Sequence, residues 1–470
     1  MTAPAGLPAL DHPVIDSDGH TVEFMPVWLE VAERLAGRRA RERFETLVHR
    51  LATGWYEFSP EARLAARAPR PPWWATPAEN TRDRATASLP RLLHERLGEF
   101  GIDFSVLYPS TGLLLFALED SELRQLACRS LNAMNAELYS PYADRLTPVA
   151  VVPMHTPDEA IAELDHAVGE LGLKAALLAG HVRRPGADGG PAWLDTLGVD
   201  SAHDYDPVWA RCAELGIAPT FHSSAAGWEA HRSPSSYVYN HLGQFAAAGE
   251  ATCRSLFLNG VTRRFPGLRF AFLEGGAGWG CTLYADLLGH WEKRNRAHVR
   301  RYDPERLDEE LLRELFERYA EPLHRGRLDR LAGTLGLHAT PEDPSMLDEF
   351  ERCGVDGPED LRELFVPRFF FGCEADDPLT AWAFRADVNP LGARLRAIFG
   401  SDLGHWDVPE MSEIPREAYE PVERGRISAD DFRDFVFTHP VELWTAGNPD
   451  FFAGTAVETA VNALTAQPSS

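Results

Sequence analysis

The sequence predicts an α/β fold: a (β/α)8 TIM barrel with long helical insertions after strands 1 and 6. Three observations predict it. Short apolar runs rich in Val, Ile, Phe and Leu recur eight times, with helix-like segments between them, as in a parallel barrel. Most of these runs lack strict apolar–polar alternation, as strands buried on both faces do. In nearly every run the ionisable residues come last.

The strand candidates, in chain order, are PVIDSD (13–18), IDFSVLYP (102–109), TPVAVVPMH (147–155), LKAALLAG (173–180), IAPTFHSS (217–224), LRFAFLE (268–274), RFFFGCE (368–374) and LRAIFGSD (395–402). Helix-like segments such as 157–172 and 205–216 separate them. A doubly wound open sheet is the structural alternative. Its first βα turn would usually carry a glycine-rich phosphate loop, and DSDGHTVE is not one. Two stretches are too long for simple βα connections. Residues 21–100 hold an arginine-rich helical region, and 281–366 is strongly charged and helical in pattern. Insertions at strand C-termini become lids over a site, and a dimerisation arm is the other reading of both. The whole chain, 1–470, is thus read as a single barrel carrying these two insertions.

A hydrophobic content of 44% over 470 residues suffices for a core of that size. The formal net charge of −25 repels nucleic acid and anionic membranes, which excludes both as expected partners and leaves a small-molecule substrate. A homodimer through the 281–366 helices stays open. Six cysteines are scattered with no C-x-x-C pair, which points to reduced thiols in a cytoplasmic protein. The N-terminal stretch lacks the basic and apolar regions of a signal peptide, and no run approaches 18 apolar residues.

Function is read from where the ionisable groups fall. Run one ends in Asp16, Asp18 and His20; run five reaches His222 and run six ends in Glu274. Run seven ends in Glu374 with Asp376 and Asp377 after it, and run eight brings Asp402 with His405 and Asp407 following. The C-terminal ends of barrel strands converge on one face. Carboxylates gathered there would repel each other and take up protons, unless a divalent cation such as Zn, Fe or Mn neutralises them. Asp18 and His20, two apart on an extended segment, point to the same side. Asp18, His20, His222 and Asp402 are therefore the expected ligands. Asp16 or Asp377 taken alone reads as a cap or turn former.

These residues resemble the amidohydrolase superfamily, in the branch that holds the decarboxylases of aminocarboxymuconate semialdehyde and of hydroxybenzoates. The resemblance runs from VIDSDGH through GVTRRFPGLRFAFLEGGAGW to IFGSDLGHWD and omits the insertions. It implies that Asp18, His20, His222 and Asp402 bind metal. It departs at two places. The two-metal hydrolases use a carboxylated lysine at the end of strand four, whereas Lys174 stands at the beginning of that run. The decarboxylases place a catalytic histidine at the end of strand six, where this chain has Glu274.

A carboxylate at that position suits a bridge between two ions, with His241 and His405 as nitrogen donors to the second. Pairing with an arginine, or acid–base work beside one metal, are the alternatives for Glu274. The mixed His and carboxylate set is also similar to a dinuclear nonheme iron monooxygenase offshoot, like the platensimycin and platencin diterpenoid hydroxylase. The favoured expectation is accordingly a monooxygenase with two divalent ions, iron favoured, that hydroxylates a C–H bond of a carboxylate or acyl-type molecule with O2. The alternative is a one-metal decarboxylase or hydrolase with Zn or Mn, using Glu274 or His241 as acid and base. Glu374, Asp376 and Asp377 line the mouth or cap a helix. Trp73, Trp74 and Trp279 form an apolar wall or pack.

Overall fold

The computed structural model of the chain describes residues 8–52, 54–72, 78–222, 228, 230–331 and 347–466. Ten strands occur among them: β1 (Ile15–Thr21), β2 (Phe104–Pro109), β3 (Leu146–Val152), β4 (Ala175–Leu178), β5 (Val182–Arg184), β6 (Trp193–Asp195), β7 (Pro219–Phe221), β8 (Phe270–Phe272), β9 (Phe369–Glu374) and β10 (Arg396–Gly400). Eight of these form one sheet in the order β1-β2-β3-β4-β7-β8-β9-β10, every ladder parallel. Each lies within or overlaps one of the eight predicted runs. β5 and β6 make a separate antiparallel hairpin that the apolar pattern did not announce.

The sheet nearly closes on itself. β1 and β10 share no regular ladder, but Asp402 N donates to Asp18 O at 3.0 Å and His20 N donates to Leu403 O at 2.9 Å. The face of the sheet turned toward the helices is aromatic on one side: Phe221, Phe270, Phe272 and Phe369 are buried and lie stacked or tilted on one another, and Trp209, Trp279 and Phe365 of the covering helices pack edge-on against them. Helices cover the outside. Asp120 caps Ser121–Tyr139 by accepting from Leu123 N, and Thr156 caps Pro157–Leu164 by accepting from Glu159 N. Gly216, in the left-handed conformation, ends Asp206–Leu215 and turns the chain into β7.

The stretch after β1 is helical, from Met25–Ala36 to Pro90–Arg96. Its first helix buries Trp28, Val31 and Ala32, and the Trp28 indole donates to Ser130 Oγ on the Ser121–Tyr139 helix. After β8 the chain runs through Gly278–Arg294 to Glu309–Tyr319, a helix with no buried residue. All six cysteines are unpaired and buried. No helix is long and apolar enough to cross a membrane.

Three histidines are held neutral by burial. Burial, helped by Arg396 and Arg394, brings His439 down to about 3, although its Nδ1 donates to the Ala397 carbonyl. Burial alone brings His181 to about 4, and burial with Arg124 and Arg184 brings His155 to about 3. The unfolded chain binds these protons near pH 6.5 and the folded chain does not, so stability falls as pH drops from about 6.5 toward 3. Thermal unfolding of His439→Gln against pH should show a shallower acid slope than the parent. Parallel slopes would refute the assignment.

Candidate metal centre

Asp16 is the starting point of the site. It is fully buried, and burial raises its pKa. Its Oδ1 accepts from Asp18 N at 3.1 Å and Ser401 N at 2.9 Å, and its Oδ2 from Ser105 Oγ at 2.6 Å and Ser401 Oγ at 2.8 Å. One carboxylate therefore ties β1 to β2 and to the end of β10. Those bonds set the backbone from which Asp18, His20 and Asp402 project.

Two of the carboxylates sit on strained backbone. Glu274 (φ 54°) and Asp402 (φ 49°) lie in the left-handed region that non-glycine residues seldom adopt. Each is the first residue or two beyond its strand, where the turn swings the side chain over the barrel mouth. Strain of this kind, about 1–3 kcal/mol per residue, persists where the surroundings impose it and clusters at functional sites. Gly276 follows in the same conformation (φ 70°), and a Cβ there would lie 2.5 Å from Asp377 Oδ2.

The side chains converge. His20 Nε2 lies 3.4 Å from Asp18 Oδ1, 3.3 Å from Asp402 Oδ1 and 3.2 Å from His222 Nε2. His222 Nε2 is 2.7 Å from Glu274 Oε2, and His405 Nδ1 is 2.6 Å from Asp402 Oδ1. His241 Nε2 stands 3.7 Å from Glu274 Oε1. Four overlapping sets could each grip an ion: Asp18, His20 and His222; His20, Glu274, Asp402 and His405; His241, Glu274 and Asp407; and Glu274, Glu374, Asp402 and Asp407. Glu274 is in three of them. It joins an inner region on β1 and β7 to an outer one formed by His241, His405 and Asp407.

The polar atoms point at shared space rather than at each other. Asp18 Oδ1, Glu274 Oε2, both oxygens of Asp402 and Asp407 Oδ1 are buried without an aligned hydrogen bond. Nδ1 of His20 and of His222 is also unpartnered, while the Nε2 atoms of both rings face the cluster. Close approach without alignment is what donor atoms aimed at a common centre produce, and buried unpaired polar atoms are costly otherwise. This donor set fits a divalent cation.

The electrostatics agree. Burial, with Glu274 next, pushes Asp18 and Asp402 well above the carboxylate range. Burial and Glu274 lift Glu374 to about 9. Burial would raise Glu274 too, but His222, His241 and His405 hold it well below its usual value. Burial lowers His20 and His405. His241 goes the other way: burial opposes its proton, and the Glu274 carboxylate overcomes burial and raises it.

The remaining expected residues divide. Asp18, His20, His222, Glu274, Asp402, His241, His405 and Glu374 come together. Asp376 is exposed and outside every set. Asp377 accepts from Leu379 N ahead of the Thr380–Ala383 turn, a capping role. Trp279 packs against Phe272 and Phe371. Trp73 and Trp74 lie outside the described residues. Lys174 precedes β4 and donates to Phe451 O, at the opposite end of that strand from the mouth. Asp407 was not among the expected ligands. Its distance from the strand end hid it, although the sequence places it three residues after the Leu-Gly turn that follows Asp402. Tyr237, Phe245 and Trp406, whose rings lie 5.2–5.5 Å from that of His241, were also missed.

Asp16→Ala should destabilise the metal-free protein by about 3 kcal/mol in urea, because it orphans four buried donors; a loss under about 1 kcal/mol would refute the clasp. Protonated carboxylates must release protons when a cation enters. Adding Mn2+ to metal-stripped protein at pH 7 in weak buffer should therefore release at least about one proton per chain. His222→Ala should abolish that release, and an unchanged pH on adding Mn2+ to the parent protein would contradict the assignment.

Known proteins resemble this chain in sequence family and in fold. The fungal Decarboxylase orsB of Emericella nidulans is 31% identical over 114 residues, 24% of this chain and 30% of that protein's length. The aligned part thus spans under a third of that relative. Among solved structures, amidohydrolase map2389c of Mycobacterium avium subsp. paratuberculosis K-10 superposes with a TM-score of 0.54 at 19% identity, covering 93% of this chain and 98% of its own. A dihydroxybenzoic acid decarboxylase of Polaromonas sp. JS666, with bound manganese and the inhibitor 2-nitroresorcinol, has a TM-score of 0.47 at 14% identity, covering 94% and 99%. The amidohydrolase family pattern, Amidohydro_2, matches residues 103–435, from just before β2 to beyond β10. The chain belongs to the amidohydrolase family.

Proposed function

We propose that the chain is a metal-dependent decarboxylase or hydrolase of a small carboxylate. The carrying observation is that two overlapping, largely buried donor sets, Asp18, His20 and His222 on one side and His20, Glu274, Asp402 and His405 on the other, meet at His20 Nε2, with Asp18 Oδ1 and both Asp402 oxygens left unpaired. Similarity to Decarboxylase orsB supports the decarboxylase form over the monooxygenase. A divalent ion held by Asp18, His20, His222 and Asp402 would supply Lewis-acid polarisation of a substrate oxygen. The chain supplies the proton. His241 is its donor: Nε2 lies 3.7 Å from Glu274 Oε1, and that carboxylate favours the proton on the imidazole. When the substrate's C–C bond breaks and CO2 leaves, the electron pair stays on carbon and takes the proton from His241 or through Glu274. Tyr237, Phe245 and Trp406 wall this end of the site and limit water.

A second reading, the two-ion monooxygenase with iron and O2, draws on the outer set His241, Glu274 and Asp407. That set gives a second ion three donors, and Glu274, 2.7 Å from His222 Nε2, would link it to the inner residues. Here His241 would be a ligand, not an acid.

The two readings separate on one variant. Protein loaded with Mn2+ should release CO2 from members of a panel of hydroxybenzoates. His241→Asn should slow that release by about 10²–10⁴-fold with metal content unchanged. Two irons per chain and O2 uptake matched to a hydroxylated product would replace this reading with the second.

A further inference from the structure

The insertion between β1 and β2 is bonded, through its described residues, to both segments that carry the outer residues. One loop runs from Ser233 to His241. The Arg70 backbone N donates to Ser233 O at 2.9 Å and its guanidinium to Ser235 O at 2.7 Å. Asn240, 4% exposed, completes the joint. Its Oδ1 accepts from Ser233 N at 2.6 Å, and its Nδ2 donates to Ser233 O and Arg70 O. The residue after this buried amide is His241.

The other loop runs from Leu403 to Met411 and carries His405 and Asp407. At its start, His20 N donates to Leu403 O. Gly404 (φ 97°) passes so close that a Cβ would lie 2.9 Å from His20 O and 3.3 Å from Ala87 Cβ. At its end, Met411 N donates to Asp83 Oδ2 at 2.8 Å, and Asn80 Nδ2 bridges Asp83 Oδ2 and Glu410 Oε2. Asp83 is buried and held in turn by Arg96 Nη1 at 2.6 Å, a guanidinium that also reaches Thr86 Oγ1. Ala87 O takes the Val22 N–H just past β1. The two loops meet across the mouth, where the Trp406 ring packs edge-on against Tyr237 and His241.

We infer that the insertion is a clamp: Asp83 and Asn240 are positioning residues that hold His405 and Asp407 on one loop and His241 on the other at the metal centre. Neither side chain bonds to a candidate ligand's side chain; each fixes the backbone on which those residues stand. The inference rests on the reading that His241, His405 and Asp407 serve that centre. Loops without such ties sample many arrangements, and groups that orient metal ligands tune affinity by about 10–100-fold.

Hydrogen–deuterium exchange on the metal-free chain, with Mn2+ titration beside it, tests the clamp. Asp83→Ala should speed exchange across 404–411 only, and Asn240→Ala across 233–241 only, with β2 and β3 protection unchanged. Asp83→Ala should weaken Mn2+ uptake by about tenfold or more, whereas Asn240→Ala, which frees only the segment carrying the acid His241, should leave Mn2+ uptake unchanged and slow CO2 release by about tenfold or more. Asp83→Asn, which keeps an oxygen for Met411 N, should restore most of the 404–411 protection. Unchanged exchange in either variant's own loop, or faster exchange throughout the barrel, overturns the clamp. Faster exchange in the loops with unaltered Mn2+ uptake in Asp83→Ala and unaltered CO2 release in Asn240→Ala overturns it too, because the loops would then be held for the fold alone. If His241→Asn changes neither metal uptake nor turnover, the underlying reading fails, and the exchange data still report on the clamp separately.

Discussion

Everything at the barrel mouth follows from one constraint: five carboxylates, on Asp18, Glu274, Glu374, Asp402 and Asp407, share a volume largely closed to water. Charged groups in such a place are tolerated only when neutralised, by a proton or a cation. The raised carboxyl groups show the first route, with burial and Glu274 as causes. The unpaired oxygens show the second, since a protonated cluster would be expected to pair its hydroxyls with its neighbours. Glu274 goes the other way and stays easily ionised, because His222, His241 and His405 surround it. It is the hinge of the site's charge.

Holding repelling groups together has a cost that the scaffold offsets nearby. Asp16 knits β1, β2 and β10 with four hydrogen bonds just beneath the cluster. Tyr108 donates to Thr220, and Thr220 to Ala176 O, under His20 and His222. The barrel seam, left without a regular ladder, is closed where Asp18 and His20 meet Asp402 and Leu403. Thus the weakest join of the sheet and the strongest electrostatic demand coincide, and a divalent ion bound there would add its own stabilisation to the seam.

The strands were legible because each buried run is apolar and bounded by polar residues, and parallel burial leaves no competing periodicity. The hairpin β5–β6 was not. Its strands are three residues long and read VRR and WLD, charged and aromatic, with pairing set by turn geometry rather than by an apolar pattern. Asp18, His20, His222, Glu274 and Asp402 were legible because strand ends share a face. The clasp role of Asp16 was not, because it depends on Ser105 and Ser401, which are far off in sequence and chemically bland. Asp407 was hidden for a related reason: only after the chain doubles back through Gly404 does it face Glu274. The positive φ of Glu274 and Asp402 is likewise invisible in the letters, since neither residue type demands it.

Glutamate in place of histidine at the end of the sixth barrel strand changes the charge of the site, and that change reaches further than the identity of one base. An imidazole there would leave the centre with four carboxylates; a carboxylate makes five. One divalent ion against five leaves three negative charges, which burial forces onto protons. Two ions leave one, and Glu374, raised to about 9, can hold a proton in its place. The number of ions is therefore tied to how many of these groups are protonated, not to the reaction class. Paired metals serve hydrolysis as well as oxygenation. On the proposed reading the role of His241 turns on the same count: beside a single ion it would serve as an acid, whereas a second ion could take it as a ligand only without its proton.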